Sequence, residues 1–156
     1  MTWAERLMRL ASSDPLPDLA ERLLPMQRGF GERARRLEAH ALLAPTAGAE
    51  QSLARQAARQ AELAESIAAA LRQRGVPVPD VRRSDAAGTE SSHWARLITD
   101  LEAARAANAT VLSQTPAVIE DAPDLAPLLR ALREGLEELL SELRTLIARA
   151  DPHALN

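Results

Sequence analysis

Residues 125–147 place Leu125, Leu128, Leu129, Leu132, Leu136, Leu139, Leu140, Leu143, Leu146 and Ile147 at spacings of three and four. Only an α-helix brings such positions onto one face, and a leucine stripe this long must be covered by other helices. Three further segments carry compatible stripes. The first has Leu19, Leu23, Met26, Phe30, Ala34, Leu37 and Ala41. The second has Leu53, Ala57, Gln60, Ala64, Ile67 and Leu71. The third has Trp94, Leu97, Ile98, Leu101, Ala104, Asn108, Val111 and Leu112. Aromatic residues make up only 2% of the 156 residues, so the core is built from Leu, Ala, Ile and Val. Ala and Leu favour helix, and the scarcity of β-branched and aromatic residues disfavours a sheet. The expected fold is an all-α four-helix bundle in a single domain over 1–156.

Proline, glycine and capping residues set the expected boundaries. A short amphipathic helix over about 2–12 ends at Ser12-Ser13-Asp14-Pro15. The long helices are expected over about 17–44, 47–74, 92–115 and 123–149. Pro17 suits a first turn, and Pro25 is expected to kink or split the first helix. Thr46 is a candidate N-cap after the tight Ala44-Pro45 break, and Gly75 followed by Pro77 is a stop signal. A linker is expected from Pro116 to Pro123, with Pro123-Asp124 opening the fourth helix. The longest connection, 76–91, could span roughly 50 Å if extended. A 28-residue helix is about 42 Å long. The connection could therefore cross the bundle and make helices two and three parallel, or fold back as a loose antiparallel turn; its length favours the crossing.

Few residues carry chemistry. The net charge of −3 gives no general attraction to nucleic acid or to an anionic membrane, and cysteine is absent. The opening residues contain Glu5 and no long apolar run, so no signal peptide or membrane helix is expected and a cytoplasmic setting is the expectation. No phosphate loop, HExxH, CxxC, EF-hand or nucleophile-elbow pattern occurs. Of the three histidines, His153 is expected to be exposed in the tail, and His93 to sit on the surface in a first helical turn. His40 lies in RRLEAHALLAPTAGAE, expected as a partly exposed residue near a helix end where the dipole favours a cation. A phosphotransfer bundle would present its histidine before Lys and Gly; His40 is followed by Ala41, Leu42, Leu43 and Ala44. It is nonetheless the one phosphotransfer candidate. Gln56, Gln60 and Asn108 fall at or beside core spacing and are candidates for an internal polar cluster, either a register-fixing layer or a small pocket.

The segments RQAELAESIAAALRQRGVPVP and DLAPLLRALREGLEELLSELRTLIARADP, with two helix pairs around a long connection, resemble helices two and four of the ferritin-like superfamily, which includes the bacterioferritins and the starvation-induced DNA-binding ferritins. The resemblance spans about residues 17–150. It implies a crossover bundle whose centre would hold a di-metal site built from Glu-x-x-His pairs. The matching places carry Gln56-x-x-Arg59 and Leu136-x-x-Leu139. Glutamine is a poor ligand, arginine repels a cation and the leucines fill space, so no metal site and no cofactor are expected. The pairs Glu62/Glu65 and Glu134/Glu138 are expected on solvated faces. The expectation is a non-catalytic bundle acting as an interaction or assembly protein, a homo-oligomer (a dimer first) or the partner of another helical protein. The alternatives are a ferritin-like di-metal protein in iron oxidation or storage, and a phosphotransfer bundle using His40.

Overall fold

The computed structural model describes residues 2–3, 16–80 and 92–150. Four long helices follow one another: α1 (Leu16–Leu42), α2 (Ala47–Gln73), α3 (His93–Asp121) and α4 (Ala126–Ala150), with a single 3₁₀ turn, Pro123–Leu125, ahead of α4. No strand occurs among the described residues. The short helix expected over 2–12 lies outside them except for Thr2 and Trp3, as does His153.

The boundaries are set locally. Thr46 accepts the N–H of Ala49 through Oγ1 at 3.1 Å and opens α2; Ser92 accepts that of Ala95 at 3.0 Å and opens α3. At the end of α2 the Gly75 N–H returns to Arg72 O at 2.9 Å and the Val76 N–H to Leu71 O at 3.0 Å. That closure requires the positive φ of 78° at Gly75, and it drops Val76 into the core.

The Pro116 expectation is corrected, and of the two outcomes expected at Pro25 the split does not occur. α1 runs unbroken through Pro25, and α3 continues through Pro116 to Asp121, so 116–121 is helix and not linker. Both prolines lie on exposed faces, where water can reach the carbonyl each one leaves unpaired. An interior proline costs about 3 kcal/mol. Burying Val118 and packing Ile119 on the core offset that, at about 1.5–3 kcal/mol for each side chain fully buried. The α3 stripe is also narrower than expected. Leu97, Ala104, Val111 and Val118 are buried, whereas Trp94 and Leu112 are exposed.

Helix directions follow from the cross-links. α1 and α2 are joined by a tight turn and run antiparallel, with Arg33 bonded to Gln60. Arg22 near the start of α1 reaches Gln114 late in α3, and His40 near the end of α1 reaches Asp100 early in α3, so this pair is antiparallel too. Ser52, Gln56 and Gln60 of α2 meet Glu142, Glu138 and Gly135 of α4 in descending order. α2 and α3 are therefore parallel, and the chain between Gln73 and His93 joins opposite ends of the bundle. α1 packs on α2 and α3, and α4 on the same two helices, which leaves α1 diagonal to α4.

The apolar interior falls into two clusters. One gathers Leu23, Phe30, Ile67, Val111, Leu129 and Leu132; the other gathers Leu37, Leu53, Leu97, Leu139 and Leu143. Between them α4 contributes Gly135, where a Cβ would run into Leu63 Cδ1. Gly29 on α1 differs: a Cβ there meets only Arg33 Nη2, at 4.0 Å. Gly29→Ala should stabilise the fold by about 1 kcal/mol through helix propensity. Gly135→Ala should instead lower the melting temperature, because overpacking costs about 1–3 kcal/mol. Thermal denaturation followed by circular dichroism checks both, and a gain at Gly135 matching that at Gly29 would refute the close approach.

Candidate functional site

Two groups of polar side chains interrupt the aliphatic interior. The first sits between the two apolar clusters. Arg33 lies one turn beyond Phe30 and one before Leu37, so the helix carries it inward. It is only 9% exposed. Its Nη1 donates to Gln60 Oε1 at 2.9 Å, and its guanidinium carbon stands 4.7 Å from the centre of the Phe30 ring. Gln60 is fully buried and donates to Gly135 O at 3.4 Å. Burial, reinforced by Arg36 and opposed by Glu32, lowers the Arg33 pKa to about 10. Arg33 is therefore still a cation at neutral pH, and it has no carboxylate partner among the described residues.

The second group lies nearer the α1–α2 turn. His40 donates from Nδ1 to Asp100 Oδ2 at 2.6 Å, with the histidine 1% exposed. Its Nε2 is buried and unbonded. Arg96, one turn before Asp100, donates from Nη2 to Leu43 O at 3.2 Å and ties the start of α3 to the end of α1. His93 completes this end. Its pKa is lowered by burial first, then by Arg96 and His40, while Asp100 pulls the other way.

His40 thus departs from its expected partial exposure: the 37–40–41 spacing continues the core stripe and brings the ring inside. A carboxylate that orients an imidazole is the arrangement of a general base, but chemistry needs an accessible second nitrogen. Nε2 is buried here, and the Nδ1–Asp100 bond ties α1 to α3.

The three amide candidates do not form one cluster. Gln60 belongs to the Arg33 layer. Gln56 is buried but faces the α2–α4 seam, where it donates to Glu138 at 3.3 Å and leaves its Oε1 unbonded. Asn108 is half-buried on α3, with Oδ1 unbonded. Arg59 pairs with Glu62, and Arg72 with Glu65, at exposed positions. Leu136 and Leu139 have no accessible surface and fill the centre. No group of three or more His, Cys, Asp or Glu side chains able to hold a metal occurs among the described residues. No described helix is long and apolar enough to cross a membrane. No family model, curated protein or solved structure matches this chain.

Sequence reasoning missed Arg33, Ser52, Arg96 and Asp100. Arg33 and Asp100 each sit three residues after a core side chain, Phe30 and Leu97, and that spacing marks them. Asp100→Ala or His40→Ala should each destabilise the fold by about 3–5 kcal/mol, the range for breaking a buried pair. The double variant should cost much less than the sum, as a denaturant-melting cycle would record. For His93, an NMR titration should give a midpoint below the ordinary histidine value of about 6.5. The folded state then binds fewer protons than the unfolded one. Its contribution to stability is lost as pH falls from the ordinary value to the lowered one and does not change further below it.

Proposed function

We propose that this chain is a non-catalytic helical bundle of ferritin-like type that acts through its surface, assembling with a second copy of itself. One observation carries the reading. Leu42 and Leu43, at the end of α1, are 79% and 53% exposed, and Trp94, in the first turn of α3, is 42% exposed. Arg96 holds the two helix ends together through the Leu43 carbonyl, so these three side chains share one end of the bundle. Large apolar groups gathered on a small surface mark contact sites. A self-complementary patch is what a two-fold dimer uses. The parallel α2–α3 pair, with the chain crossing between opposite ends, supports the ferritin-like part of the reading. The leucines at 136 and 139 support the non-catalytic part, because they occupy the place where such a bundle would carry ligands.

Sedimentation equilibrium of the full chain should return a dimer. Leu43→Glu combined with Trp94→Glu should yield a monomer of unchanged helix content, since both side chains face solvent. A wild-type monomer at micromolar concentration overturns the assembly. Stoichiometric iron or manganese in the purified protein would do the same for the metal-free reading and restore the iron-oxidation alternative.

A further inference from the structure

The geometry points to the groove between α1 and α3 as a binding site for an apolar monocarboxylate of the fatty-acid type, its carboxylate held by Arg33. The groove is half open and offers about 700 Å³, within the usual range for small-molecule sites. Its depth is apolar, formed by Met26, Phe30 and Val111 of the core, and Gly29, Ala103 and Ala107 keep it open by their size.

Arg33 lines the same groove. Its guanidinium is fixed by Gln60 on one side and Phe30 on the other, and its Nε has no hydrogen-bond partner. Nη2 lies 4.0 Å from where a Cβ of Gly29 would stand, on the groove side of α1. A charge removed from water without a counterion is a costly state, and an anion bound beside it relieves that cost. A planar carboxylate matches the guanidinium fork.

The far end of the groove is less welcoming to a second negative charge. Arg22, bonded to the neutral Gln114 at 2.5 Å, is a cation there too, but the two carboxylates of Asp18 and Glu21 outnumber it. From Arg33 back to Arg22, α1 rises roughly 16 Å. The groove is thus cationic at the Arg33 end, apolar along its length and net acidic at the end formed by Asp18, Glu21 and Arg22. A single carboxylate on an unbranched alkyl chain satisfies all three.

Isothermal titration of the full chain with laurate, kept below its micelle concentration, tests the site, with dodecanol as the uncharged control. One laurate should bind per chain at micromolar affinity, and dodecanol at least tenfold more weakly. Arg33→Met should remove the difference between the two probes. Ala107→Leu narrows the groove without touching Arg33, and it should weaken both at least tenfold. It keeps the test decisive should Arg33→Met fail to fold. Equal binding of laurate and dodecanol, an unaltered affinity in Ala107→Leu, or absence of saturable binding at millimolar laurate would overturn the assignment. Laurate-induced amide shifts at Leu42, Leu43 and Trp94 in place of Gly29 and Ala107 would also overturn it, by locating the probe on the dimer patch.

Discussion

A guanidinium buried without a carboxylate sets the middle of this bundle. Arg33 needs an acceptor, and Gln60 supplies one; Gln60 in turn needs one, and the Gly135 carbonyl supplies that. Each link in the chain fixes one helix relative to the next. Gln60 meets the α4 backbone at the residue without a side chain, and the gap there receives Leu63. The apolar clusters above and below can vary their rotamers with modest penalty, but this layer allows one register, since a slip of a turn would strand three polar groups in hydrocarbon.

Much of the architecture could be read directly from the chain, because the responsible forces act over a few residues. The leucine stripe of α4, the threonine and serine caps and the Gly75 closure all appear where local rules place them. Pro116 did not, since a local rule was outvoted by tertiary burial of Val118 and Ile119. The polar interior was legible only in part. Gln60 could be recognised as an amide on an apolar stripe, but the partner that explains it is a charged residue on another helix. Arg33 and Asp100 hold stripe positions while belonging to residue types usually assigned to the surface. Spacing says where a side chain goes, and composition says where its kind usually goes; at these positions spacing was the better guide.

Burial also reshapes what the histidine means. An imidazole oriented by a carboxylate is chemically expressive only when its other nitrogen is within reach of a reactant. At His40 the enclosing side chains convert the same pair into a fastening between helices. The two surfaces proposed for function differ in construction, the apolar end being made by helix termini and the groove beside Arg33 by small residues on two facing helices.

The distribution of these bonds bears on how the chain folds. Packing within the hairpins α1–α2 and α3–α4 is extensive, and both can form early because their partners are close in sequence. The seams between hairpins are different. Besides the Arg33–Gln60 bond inside the first hairpin, long-range polar cross-links join one hairpin to the other, among them Arg22–Gln114, His40–Asp100 and Ser52–Glu142, separated by 92, 60 and 90 residues. The apolar surfaces within each hairpin are local, whereas these hydrogen bonds exist only when both halves meet in the correct alignment.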